Sequence, residues 1–195
     1  MTYIRHTAAA LSALAISFAS AHWLLYPVLM GYPRLVRIMT RFAYTEQLLI
    51  AIIALVLIAF YGQLVRGQLS AVFLYLSSAF YLFLLFVVLF TKAHAYHALT
   101  LNPFDFLSSD RTTILEAILN IIAFIPLGMI YSLQTTPKQY IVIATVTIVS
   151  IETIQYLFYL GTWSISDILL NLIGTTTGFC LWRLMKRRAF EPLVK

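Results

Sequence analysis

The chain has 195 residues, of which 62% are hydrophobic and only 10% are charged, and its formal net charge is +6. A water-soluble domain is typically about 45–50% apolar and about 25% charged, so this composition excludes an ordinary soluble globular fold. The positive charges lie at the ends of apolar runs and not in a basic stripe with interleaved aromatic residues, which argues against nucleic-acid binding. A membrane-spanning helix needs about 20 mostly apolar residues, and such runs fill the sequence. We therefore predict an all-α fold, a polytopic transmembrane helical bundle of about six spans.

Residues 1–100 form the predicted N-terminal region, with spans at about 7–30, 45–65 and 69–90. The first apolar run passes through Ala19-Ser20-Ala21, which resembles a signal-peptide cleavage site. The run continues to about Met30, so we interpret it as an uncleaved first span.

A basic segment, residues 31–44, separates the first two spans. Arg34, Arg37 and Arg41 follow one another at intervals of three or four residues, a spacing that places them on one face of a helix. The segment is therefore predicted to be a short interfacial helix.

The stretch from Lys92 to Arg111 is too polar to cross a membrane and too long for a tight turn. His94 and His97 have an i,i+3 spacing that suits a metal, but no acidic residue follows at helical spacing. We therefore predict no metal site, and no sequence motif indicates a cofactor.

Residues 101–185 form the predicted C-terminal transmembrane region, with spans at about 112–133, 139–160 and 163–185. Residues 186–195 are a basic tail that the positive-inside rule places in the cytoplasm. Because the number of spans is even, both termini are predicted to be cytoplasmic.

Polar side chains are concentrated within the last three spans. They are Glu116, Asn120, Glu152, Gln155, Asp167 and Asn171. An ionisable residue at the centre of a span costs about 2.5–3.5 kcal/mol on insertion scales, so such residues face the protein interior and find partners there. Asn120, Glu152 and Asn171 each lie about eight residues from the outer end of their span, roughly 12 Å deep. We therefore expect three helices to present carboxylates and amides at one depth.

Small residues favour close packing of the same helices. Gly174 and Gly178 are four residues apart in the last span, a spacing that lets another helix approach closely. The sequence thus predicts a tight contact between this span and a neighbouring one.

Four motifs in the C-terminal half resemble those of the VanZ-like family. Asn120–Gly128 is similar to its N-x-x-x-F-x-P-x-G span, and Ser150–Gln155 to its S-x-x-E-x-x-Q helix. Ser166–Gly178 resembles its D-D-x-x-x-N-x-x-G-x-x-x-G helix, with Ser166 in place of the first Asp, and 102–104 resembles its N-x-x-P-F loop in a shortened form. The family also usually has an Arg shortly before the Asp pair, a region that holds Thr162 and Trp163 here.

The resemblance implies a multi-pass protein of the bacterial inner membrane with a link to the cell envelope, since the named family member is associated with resistance to the glycopeptide antibiotic teicoplanin. Our leading hypothesis is an outer-leaflet polar cavity that binds a lipid-like or lipid-linked ligand. Its expected partners are membrane lipids and a lipid-linked cell-wall intermediate or lipoglycopeptide. The predicted ligand-binding residues are Asn102, Asn120, Glu152, Gln155, Asp167 and Asn171.

Three alternatives stay open at this point. The first is a membrane enzyme acting on a lipid-linked substrate, with Glu152 and Asp167 as the candidate catalytic acid–base pair. The second is a structural or accessory bundle, because amides within membrane helices often serve only as hydrogen-bonding links between helices. The third is a proton-coupled transporter, although the sequence has no internal repeat of the kind such transporters use. The sequence does not predict an oligomeric state.

Overall fold

The computed structural model describes residues 2–30, 36–37, 39–66, 69–90, 97–107 and 110–189. Most of these residues are helical, which confirms the all-α prediction. Within them, five helices are long and apolar enough to cross a membrane, and these match the second to sixth predicted spans. Their spans are Thr45–Gln63, Ala71–Phe90, Thr113–Gln134, Pro137–Leu157 and Ile165–Lys186.

The first predicted span is helical but is not one of these five. It consists of α1 (Thr2–Ala19), a π-helical stretch (Ser20–Leu25) and α2 (Tyr26–Met30). The first turns of α1 include Arg5 and His6, which lower the mean hydropathy of this helix.

The predicted interfacial helix at 31–44 falls partly outside the described residues, as do Lys92, His94 and the end of the basic tail.

The chain divides into two compact units, one of Met1–Ser77 with Ala189–Lys195 and the other of Ser78–Arg188. In the first unit, α1 and its π-helical continuation pack antiparallel against α3 (Thr45–Arg66). His22 Nδ1 lies 2.6 Å from Glu46 Oε1 at one end of this helix pair, and His6 contacts Tyr61 at the other end.

The second unit contains the last part of α4 and three further helices. These elements are α4 (Ala71–Phe90), α5 (Arg111–Gln134), α6 (Pro137–Leu157) and α7 (Ile165–Ala189). The Asp110 carboxylate caps α5 by accepting a hydrogen bond from the Thr113 amide, and Thr136 begins α6 in a capping box with Gln139. These caps explain why the two helices begin where they do.

The core of the second unit follows one face of α6. Its buried residues recur every three or four positions, as the helical period requires: they are Tyr140, Ala144, Ile148, Glu152 and Gln155. Ile148 is fully buried and packs with Phe124 and Leu127 of α5 and with Leu85 of α4. The same face that forms the apolar core therefore carries Glu152 and Gln155 near its C-terminal end.

A short parallel β-pair that the sequence did not predict lies at the start of α7. β1 (Leu99–Thr100) pairs with β2 (Trp163–Ser164), and the Trp163 amide also donates to the Ala98 carbonyl at 3.0 Å. Because β2 leads directly into α7, this pairing holds the segment 97–107 beside the first turn of that helix.

Candidate functional site

Close packing of α5 against α7 brings the polar side chains of the two helices together. A Cβ atom added at Gly178 would overlap the Ile125 carbonyl of α5, and one added at Gly174 would overlap the Ile121 carbonyl. Gly128 of α5 meets the backbone of α7 at Thr175 in the same way. The glycines thus let the two helix backbones approach each other directly, as the spacing of Gly174 and Gly178 predicts.

Asp167 and Asn120 link the two helices above these glycines. The Asn120 amide Nδ2 donates to Asp167 Oδ1 at 2.8 Å, and both side chains are half-buried. Asp167 lies in the first turn of α7, where the helix dipole stabilises a negative charge. The contact connects residues that are 47 positions apart in the chain.

Glu152 and Asn171 form a second pair, deeper between α6 and α7. The Asn171 Nδ2 donates to Glu152 Oε1 at 3.2 Å, and the two residues are only 2% and 4% exposed, respectively. Among the described residues, no donor reaches the other amide atom, Asn171 Oδ1. An unsatisfied acceptor at this burial costs free energy, so this oxygen marks a place where a hydrogen-bond donor would be stabilising.

Gln155 is buried but bonds to a different helix. Its Nε2 donates to the Leu89 carbonyl at 2.9 Å, and that carbonyl belongs to the last turn of α4, where helical carbonyls have no partner of their own. Gln155 therefore ties α6 to α4.

Asn102 lies outside this group. Its side chain is exposed, and its Oδ1 accepts from the Phe104 amide at 3.0 Å, which closes a turn within the segment 97–107. No hydrogen bond joins it to the residues of α5, α6 or α7 within the described part of the chain.

Two serines extend the group in a way that the sequence analysis missed. The hydroxyls of Ser164 and Ser166 lie 2.8 Å apart, and these residues are 3% and 2% exposed. Ser164 Oγ also accepts from the Asp167 amide at 3.4 Å. The one available signal was that Ser166 stands where the family pattern has an Asp. We call Asn120, Glu152, Ser164, Ser166, Asp167 and Asn171 the polar cluster.

Three rings are in contact at the C-terminal end of α6, with the His97 ring tilted by 34° and 33° to the other two. The His97 ring is 3.9 Å from that of Tyr156 and 4.6 Å from that of Tyr159, centroid to centroid. Tyr159 has a positive φ of 56°, a conformation that is uncommon for a residue with a side chain. These ring contacts and the β-pair together hold the segment 97–107 against the turn between α6 and α7.

Other polar contacts lie towards the opposite end of the same helices. The Tyr140 hydroxyl is within 3.1 Å of Thr175 Oγ1 and 2.9 Å of Thr176 Oγ1. Arg183 packs its guanidinium on Phe179 and donates to the Thr135 carbonyl at 3.2 Å. These bonds connect α7 to α5 and α6, which is a structural role.

The polar cluster consists of two carboxylates, two amides and two hydroxyls, which lie on three helices and on the strand β2. Such a set can hydrogen-bond to a polar ligand and can complement positive charge on it. In the part of the chain described, no three His, Cys, Asp or Glu side chains lie close enough together to hold a metal ion.

Comparison with known proteins adds a family assignment to this geometry. The family model described as VanZ/LLP1 matches residues 48–186, which include α3 to α7 apart from a few terminal residues. No curated protein and no solved structure matches the chain. Since the matched region covers well over half of the sequence and contains the entire polar cluster, the chain belongs to the VanZ/LLP1 family.

Proposed function

We propose that this membrane protein binds the polar head of a lipid-like or lipid-linked envelope ligand at the polar cluster. The observation that carries the proposal is Asn171 Oδ1, an acceptor that is buried beside the Glu152 carboxylate without a donor from the described residues. A hydroxyl or amino group of a ligand would satisfy it. The buried carboxylate would favour a donor that carries positive charge.

The apolar surroundings favour an amphiphile over a small polar ligand. Four large apolar side chains of the segment 97–107 are between 59% and 74% exposed: Leu99, Leu101, Phe104 and Leu107. In α4, Phe83 and Phe86 are exposed to a similar extent, 62% and 60%. In a bilayer these side chains would contact acyl chains, while the polar cluster would hold the head group.

The proposed setting is the bacterial inner membrane, with both termini in the cytoplasm and the polar cluster towards the outer leaflet. In that setting the ligand would be a lipid-linked cell-wall intermediate or a lipoglycopeptide, with one of its amino or hydroxyl groups, and not an anionic phosphate, at the polar cluster. Retention of such a ligand would connect the protein to glycopeptide resistance.

The proposed ligand is tested by Asp167→Asn. An asparagine retains an acceptor for Asn120 but removes the charge, so the fold is expected to persist while binding weakens. Since a hydrogen bond to a charged group contributes about 1.5–3 kcal/mol, we expect at least about a tenfold loss of the amphiphile that co-purifies from native membranes, measured by mass spectrometry. Glu116→Gln is the matched control, because Glu116 is an exposed carboxylate of α5. Equal recovery from both variants would contradict the proposal.

The proposed orientation is tested by cysteine labelling. Gly161, in the turn between α6 and α7, and Lys138, at the start of α6, are separated by the whole length of α6. In a Cys180→Ser background, Gly161→Cys is expected to react with an impermeant maleimide in intact cells, whereas Lys138→Cys reacts only after the membrane is opened. Labelling of both positions from the same side would refute the orientation.

A further inference from the structure

The first unit contains a groove between α1 and α3, which is far in the sequence from the polar cluster. Its volume is about 410 Å³, within the usual range for ligand sites. Arg66, His6 and Tyr61 form its polar side, and Ile58 and Val65 contribute apolar surface.

The polar groups of this groove lie at one end of the apolar span of α3, where lipid head groups are expected. The apolar span of α3 ends at Gln63, so Arg66 is about one helical turn beyond it. His6 lies near the start of α1, and its Nδ1 is 3.4 Å from the Tyr61 hydroxyl. Among the described residues, His22 and Glu46 form an ion pair at the other end of the helix pair, and Arg66 forms none.

Small residues keep the space between the helices open. Ala9 and Ala10 of α1 and Gly62 of α3 line the groove, and among the described residues a Cβ added at Gly62 would meet nothing within 4 Å. A slender chain can therefore lie between the helices, next to Ile58, while its charged end reaches Arg66.

The geometry points to a binding site for an anionic phospholipid, with the phosphate on Arg66 and Tyr61 and an acyl chain in the groove between α1 and α3. A guanidinium matches phosphate in charge and in hydrogen-bonding geometry, and basic residues at a membrane surface attract anionic lipids. The apolar part of the groove favours a phospholipid over inorganic phosphate as the ligand, because inorganic phosphate would leave that part empty.

Native mass spectrometry of the full chain tests this site, with phosphatidylglycerol and phosphatidylcholine as competing probes. We expect one phosphatidylglycerol to be retained preferentially, and Arg66→Gln to reduce that retention about tenfold. Lys138→Gln, which removes another exposed basic residue, should leave it unchanged. Equal retention of the two lipids by the wild type, or equal losses in the two variants, would overturn the assignment.

A second pair of variants tests the space between α1 and α3 independently of the charge of Arg66. Gly62→Leu fills open space and is expected to displace the lipid while the melting temperature in detergent stays the same. A Cβ added at Gly161 also meets none of the described residues within 4 Å, but Gly161 lies in the other unit, so Gly161→Leu should not affect lipid retention. Inorganic phosphate should not compete with the lipid. Competition by phosphate, or retention by Gly62→Leu, would show that the groove is not the site.

Discussion

Gly178→Leu is expected to lower the melting temperature of the detergent-solubilised protein by roughly 5–10 °C. A side chain at this position has no room, because its Cβ would overlap the Ile125 carbonyl and approach the Met129 amide. Both are backbone atoms of α5, so relief requires the two helices to separate. Overpacking of this kind costs about 1–3 kcal/mol or more, and about 1 kcal/mol corresponds to 2–4 °C in a chain of this size.

Thr177→Leu provides the matched control for this prediction. Thr177 is adjacent in sequence but exposed, and its hydroxyl bonds to the Ile173 carbonyl of its own helix. We expect the melting temperature of the Thr177→Leu variant to stay close to that of the wild type. If Gly178→Leu melted like Thr177→Leu, the close approach of α5 and α7 would be wrong, and with it the geometry of the polar cluster.

Glu152→Leu is expected to destabilise the protein by about 1–3 kcal/mol, the usual cost of a buried polar group that loses its partner. The group left behind is the Asn171 amide, whose Nδ2 now donates to Glu152 Oε1. Glu152→Gln supplies an amide oxygen in the same place, so its stability should remain near that of the wild type. Thermal melting of the two variants side by side measures this difference.

The same two variants distinguish a purely structural role from ligand binding. If Glu152 binds through its charge, Glu152→Gln should lose the co-purified amphiphile and any glycopeptide-susceptibility phenotype, while its abundance in the membrane is unchanged. Glu116→Gln, an exposed carboxylate on α5, should behave as wild type. A Glu152→Gln protein that is stable and fully functional would favour a structural bundle.

The long helices were predictable because their signals are local. Apolar runs of spanning length predict α3 to α7, and the capping residues Asp110 and Thr136 mark where α5 and α6 begin. The predicted first span is helical as well, but a count of apolar residues does not reveal the π-helical stretch at Ser20–Leu25. The β-pair was missed since two paired residues on each side leave no periodic pattern to detect.

The polar cluster was predictable in part, because depth along a helix follows from the rise per residue. That argument brought together Asn120, Glu152 and Asn171, and the helical spacing added Asp167. It did not reveal that Gln155 turns to the Leu89 carbonyl, since the direction of a side chain around the helix depends on which neighbours pack there.

The surroundings of residues near the β-pair depend on tertiary pairing, which a linear pattern does not specify. Asn102 lies in a stretch that resembles a loop motif of the family, and its side chain closes a local turn. No sequence pattern marks Ser164 and Ser166 as buried, yet they are almost fully buried. They lie where β2 pairs with β1, at the N-terminal end of α7.

The most direct test of the central claim is an experimental structure of the protein extracted from native membranes without detergent exchange. The proposed function predicts density for a polar head group within hydrogen-bonding distance of Asn171 Oδ1, about 3.5 Å or less, with an apolar tail leading towards the segment 97–107. The contrary result is a closed polar cluster without a ligand, in which that oxygen accepts from a protein group or from water alone.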